Sequence, residues 1–255
     1  MTRNTLYSTQ LAKGTGMINE TLAILNVYEP GMTKEALCQY VIDSNYLSTS
    51  TETRAKDIIN RVFYYRFMST NSSVPLWLRQ IRRKGLMVSQ MAQLFYIYCA
   101  RENAVMYDFV ATVLNPTKES GQRRFTRQDF TDYMHGIVER GEASWSDFMQ
   151  KKNGGYLRST LIDFGLLDEA NNILPFDIDD FTVLYLMHEL HFSGLSDMAI
   201  WEHEDWKLFN LNKYDVLSAI MNKSLKGGYI AQTSGDILSI SWSFNSMEEM
   251  IDATL

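Results

Sequence analysis

Apolar residues recur at helical spacing along most of this chain, and that periodicity constrains its fold more than any other feature. INETLAILNVYE reads as a short amphipathic helix stopped by Pro30-Gly31. Thr33 then caps KEALCQYVIDSN, where Leu37 and Val41 repeat at helical spacing beside Ala36 and Tyr40. The short turn YLSTS leads into TETRAKDIINRVFYYRF. PLWLRQIRRKG follows, then the apolar LMVSQMAQLFYIYCAREN, which reads as a central buried helix, and AVMYDFVATVL, which ends at Asn115-Pro116. One stretch keeps a different period. Leu238, Ile240, Trp242 and Phe244 alternate with Ser239, Ser241 and Ser243, the pattern of a half-buried strand, and Ser234-Gly235-Asp236 supplies a turn before it. The expected class is mainly α and multi-helical, with helix-turn-helix elements and small β-hairpin wings.

The polar NPTKESGQ stretch, residues 115–122, is the best linker candidate, because it combines Pro and Gly. It suggests an N-terminal domain over residues 1–116 and a C-terminal one over 117–255. In the latter, a succession of helix, helix, helix and hairpin is expected twice, over 117–178 and 179–255. The first pass runs TRQDFTDYMHGIVERG, SWSDFMQKK, GYLRSTLIDFG and a weak hairpin around Glu169–Asn172. The second runs DIDDFTVLYLMHELHF, SDMAIWEHEDWKLF, NKYDVLSAIMNKSLKGG and the alternating strand. That succession is the outline of a winged helix-turn-helix.

The net charge of −6 is unevenly spread. Residues 1–124 carry 15 Lys and Arg against 9 Asp and Glu, whereas the remainder carries 9 against 21. Such asymmetry points to a polyanionic partner for the basic part. On a helical wheel, Ala55, Ile58, Ile59, Val62 and Phe63 share one face, while Arg54, Asp57, Arg61 and Tyr64 lie opposite and Lys56 near the edge. Arg66 falls on the apolar side and reads as structural. The basic helix is second in a helix-turn-helix, the position that enters a major groove. The competing reading pairs Asp57 with Arg54 and Arg61 inside the helix. LRQIRRKG adds Arg79, Arg82, Arg83 and Lys84 without an acid, a pattern suited to phosphate contact. Further along, Lys151 and Lys152 precede Arg158, and Lys213, Lys223 and Lys226 follow. Glu202, Glu204 and Asp205 beside the last group favour a structural or protein-docking role there. The candidate DNA contacts are thus Arg54, Lys56, Arg61, Arg79, Arg82, Arg83, Lys84, Lys151, Lys152 and Arg158.

Catalytic chemistry finds little support. His188, His191 and His203 lack the H-E-x-x-H spacing of a zinc site. LAKGTG has two glycines before a helix but not the G-K-[ST] of a phosphate loop, and reads as a turn. No dinucleotide fingerprint or nucleophile elbow is present, so no enzyme, metal or cofactor is expected. Cys38 and Cys99, both in apolar helical stretches, suggest a reducing compartment. With no signal-like N-terminus and apolar runs too short for a bilayer, a cytoplasmic protein without membrane contact is expected, with a monomer favoured.

YSTQLAKGTGMINETLAIL, the block GMTKEALCQYVIDSNYLSTSTETRAKDIINRVFYYRF and LRSTLIDFGLL, in that order, resemble the BrxA family, a small core component of BREX (bacteriophage exclusion) defence systems. The resemblance implies an all-helical, non-enzymatic accessory that binds double-stranded DNA and works with other BREX components, the methyltransferase and ATPases being separate proteins. It carries over no catalytic residue. The rival reading is a protein–protein adaptor without DNA contact, supported by the acidic C-terminal part.

Overall fold

The computed structural model describes residues 3–255 and is mainly helical, with one antiparallel hairpin near the C-terminus. The chain divides into two compact units: a larger one, residues 3–76 and 95–176, and a smaller one, residues 77–94 and 177–255. Each unit draws its residues from two separate stretches of the chain. The chain passes between them inside helices α4 (Val74–Arg83) and α5 (Val88–Glu102). The expected linker is itself partly helical, because a π turn over Val110–Leu114 runs straight into a helix over Asn115–Glu119. Pro116 follows this π turn closely, with Leu114 and Asn115 both helical before it.

In the larger unit, α1 (Ile18–Val27) is followed by α2 (Lys34–Asp43), capped by the Thr33 hydroxyl, and by α3 (Glu52–Asp57), capped by Thr51. The helix then continues from Ile58 to Met68 with π winding. Its buried residues explain the change. Ile58, Val62 and Arg66 recur every four residues, as do Ile59, Phe63 and Phe67. At 3.6 residues per turn each column would drift about 40° per step, whereas wider winding keeps both on one face. Phe67 then meets Phe95 and Tyr98 of α5 edge-on.

After α6 (Ala104–Phe109) and α7 (Asn115–Glu119) come α8 (Arg127–Glu139) and α9 (Asp147–Asp163). A reciprocal Thr126–Asp129 capping box starts α8, and Ser146 caps α9. The expected helix break at Asn153-Gly154-Gly155 is absent, so this region holds two helices rather than three. Gly154 is buried where α9 crosses α8; a Cβ there would lie 3.1 Å from the Phe130 carbonyl oxygen. The glycine allows close helix packing rather than ending the helix. The weak hairpin reduces to isolated bridges, Arg124 with Asn172 and Leu167 with Ile173.

The smaller unit holds α10 (Asp180–Phe192), α11 (Asp197–Trp201), a 3-10 turn over Glu204–Phe209, α12 (Lys213–Lys223), strands β1 (Tyr229–Ser234) and β2 (Ile237–Trp242), and α13 (Met247–Thr254). Three helices, the second of them short and followed by the 3-10 turn, precede the hairpin. The register pairs Tyr229 with Trp242 and Ala231 with Ile240, and Gly235 turns the hairpin at φ +60°. Leu238 and Ile240 face a core formed with Leu186, Leu190, Trp201, Trp206 and Ile220. Phe244 falls beyond the end of β2.

Candidate nucleic-acid interface

The sequence offers basic residues on three elements, and their partners differ sharply. On α3, Arg54 turns away from solvent: one nitrogen donates to the Lys13 carbonyl at 2.6 Å and another contacts the Met17 sulfur at 3.6 Å. Lys56 pairs with Glu52 one turn back, and Asp57 pairs with Lys13 rather than with either arginine. Arg61 remains exposed without a partner. It borders a depression of about 670 Å³ between α2 and the π helix, but Glu35 and Asp57 line the same depression. The surface is therefore mixed in sign.

On α4, Arg82 donates to the Leu86 carbonyl at 2.9 Å, in the segment that follows the helix. Lys84 contacts Asp252 of α13 through both the carboxylate, at 2.9 Å, and the backbone carbonyl, at 3.2 Å. That hydrogen bond holds the Asp252 carboxyl below its usual range. Trp77 donates its indole N–H to Glu248 at 2.6 Å, so an acidic helix lies against this one. Arg79 is half-buried, and Arg83 is exposed.

The third set behaves differently. Arg127 at the start of α8 and Lys151, Lys152 and Arg158 on α9 line one groove of about 540 Å³. Thr131, Tyr156 and Ser159 add hydroxyls, Gly154 and Gly155 bring backbone close, and no acidic residue lines it. Arg127, Lys151 and Lys152 are exposed. Arg158 is partly committed: it donates to the Asn171 side chain and, at 2.5 Å, to the Glu169 carbonyl, tethering the turn after α9. The two helices position the cations because close packing at Gly154 brings α8 and α9 together just below them. Arg158 also meets the Glu169 carboxylate at 3.5 Å, but Arg127, Lys151 and Lys152 form an exposed cationic cluster with hydroxyl donors beside it, which attracts phosphate oxygens.

Of the expected contacts, then, Lys151 and Lys152 share a cationic groove with Arg158, whereas Arg54, Lys56, Arg82 and Lys84 are held by intramolecular partners. Arg127 escaped the sequence reading. Its signal was available, since Thr126 and Asp129 mark a helix start that leaves residue 127 exposed on the first turn.

The lysines of α12 are also engaged: Lys213 with Glu202 at 2.9 Å and over the Trp201 ring, and Lys223 with Asp180. His188 is buried in the smaller unit, where its Nδ1 bonds the Leu184 carbonyl at 2.9 Å and burial pushes its pKa down to about 4. His191 stacks on Trp242, and His203 contacts Asp205 at 3.2 Å. Among the described residues no group of three or more His, Cys, Asp or Glu side chains is placed to hold a metal. No helix of the described residues is long and apolar enough to cross a membrane.

The crystal structure of an uncharacterized protein from Magnetospirillum magneticum has a similar fold, with a TM-score of 0.60 at 16% identity over 80% of this chain and 97% of that one. No curated protein matches the sequence. The BrxA family matches residues 5–189, from the segment before α1 to the last part of α10, and so includes both helices of the cationic groove. With well over half of its length matched, the chain belongs to the BrxA family, a component of BREX phage-defence systems.

Proposed function

We propose that this chain is a non-enzymatic DNA-binding component of its defence system, and that it grips double-stranded DNA mainly through phosphates at the α8–α9 groove. The observation that carries the reading is the convergence of Arg127, Lys151, Lys152 and Arg158 on one groove without a lining carboxylate. Arg61 and Arg83 supply secondary phosphate contacts on the surfaces they occupy. Base reading is limited, because the groove offers few side chains with the planar geometry that distinguishes bases.

Binding of a labelled random-sequence duplex at several salt concentrations tests this. Each neutralised phosphate contributes about −0.9 to the slope of log K against log salt, so Arg127→Ala/Lys151→Ala should flatten the slope by about 1.8. A wild-type slope near zero would overturn the proposal.

The smaller unit favours a second role for the same protein. It has the outline of a winged helix, but its α12 lysines are held by Glu202 and Asp180. Tyr214, Met221 and Leu225 are exposed at helical spacing along and just beyond α12. That surface suits docking of another BREX protein better than a phosphate backbone.

A further inference from the structure

We infer that α9 carries a stacking site for unpaired DNA bases beside the phosphate groove. The inference rests on the groove reading above and adds unpaired DNA to the duplex as a form that this surface holds.

Phe148 is 71% exposed, near the start of α9. A single exposed phenyl ring is ordinary on a protein surface. This one is in register with two other residues: Phe148, Lys152 and Tyr156 follow one another at intervals of four, along one face spanning about 12 Å of helix. The Lys152 ammonium lies between the two rings, 6.0 Å from the centroid of Phe148 and 5.9 Å from that of Tyr156. Lys152 and Tyr156 also line the groove, so the stripe runs out of the phosphate site onto the helix surface.

Alternation of aromatic rings with cations is the arrangement that single-stranded nucleic acid requires. The cations hold the backbone while the rings take successive base faces, which duplex DNA keeps buried in its own stack. A duplex needs only the cations. The exposed ring of Phe148 therefore gives a strand whose bases are unpaired a contact that a duplex lacks, with phosphates on Arg127 and Lys151 and a base on Phe148.

The test compares a short labelled single strand with the blunt duplex of the same sequence by fluorescence anisotropy. Phe148→Ala should weaken single-strand binding by about 5- to 150-fold, the fold-change of one lost base stack, and leave duplex binding unchanged. A 2-aminopurine base in the strand should be quenched on binding by wild type and not by Phe148→Ala, while Phe148→Tyr should restore both affinity and quenching. Arg127→Ala/Lys151→Ala should weaken both forms. Circular dichroism confirms that each variant keeps its helices. Unchanged single-strand affinity in Phe148→Ala, or equal weakening on both forms, would overturn the stacking site. If the double variant still loses duplex affinity in that case, the groove reading survives alone and the stripe is better read as a protein contact. Salt-independent binding of both forms by wild type would overturn both.

Discussion

Arg66 and Asp163 hold Gly16 from its two polar ends. Arg66 donates to the Gly16 carbonyl at 3.1 Å, and the Gly16 amide donates to the Asp163 carboxylate at 2.7 Å. The same guanidinium also takes the carbonyls of Gly14 and Thr15, at 2.8 and 2.7 Å. Three successive carbonyls of the LAKGTG segment thus converge on one buried cation. Such a loop presents acceptors, not the array of amide donors that cradles a phosphate, which accounts for the missing phosphate-loop signature.

Arg66→Ala should destabilise the protein by about 2–4 kcal/mol, because charge-assisted bonds are lost and carbonyls are left without a donor. Arg66→Lys should recover only part, since one ammonium cannot span three carbonyls as the planar fork does. Gly16→Ala should cost about 1–3 kcal/mol by overpacking, its Cβ falling 2.5 Å from that of Asp163. Urea unfolding midpoints followed by circular dichroism check all three, and a midpoint for Arg66→Ala equal to wild type would refute the first.

Acid should weaken the smaller unit through His188. Burial lowers its folded pKa from 6.5 to about 4. The unfolded chain therefore binds more protons between those values, and stability falls as pH drops through that window. Above pH 6.5 the contribution is complete; near pH 4 it is lost, a change on the order of 3 kcal/mol. Melting temperatures across this range should decline less steeply in His188→Gln than in wild type. Parallel declines would locate the acid sensitivity elsewhere.

Asp197 pins the hairpin to α11: its carboxylate accepts the Ile240 amide at 2.8 Å and the Trp242 indole at 3.2 Å. Removing it leaves two donors without their acceptor, so Asp197→Ala should cost about 2–3 kcal/mol. It should also speed amide exchange at Ile240 in preference to the larger unit. Uniform protection in the variant would contradict this.

Arg79→Ala/Arg82→Ala/Arg83→Ala should reduce duplex affinity less than Arg127→Ala/Lys151→Ala, although it removes one more charge. Arg82 is occupied by the Leu86 carbonyl and Arg79 is half-buried, which leaves Arg83 as the exposed cation of the three. The expected change in salt slope is about 0.9, one phosphate, against about 1.8 for the groove. The reverse order would return the main DNA contact to α4.

Sequence periodicity alone determined most of the secondary structure. The cap at Thr33, the inward face of the basic helix with Arg66 on its apolar side, and the alternating strand at Leu238–Trp242 were all legible, because each depends on residues close together in the chain. Blocks spread along the N-terminal two thirds likewise identified the BrxA family. What only the tertiary structure decided was partnership. A wheel places Arg54 in solvent, but a carbonyl 41 residues away captures it. Asn153-Gly154-Gly155 looks like a helix break until α8 crosses there and needs a residue without a side chain. Lys84 looks free until Asp252, 168 residues later, arrives beside it. A cation's availability depends on which acceptors the fold brings near it, and those acceptors leave no trace in the local sequence. For that reason Arg127, Lys151 and Lys152 gather as exposed cations in one groove, whereas on α4, the helix richest in arginine, Arg82 is taken by a carbonyl and Arg83 is left exposed by itself.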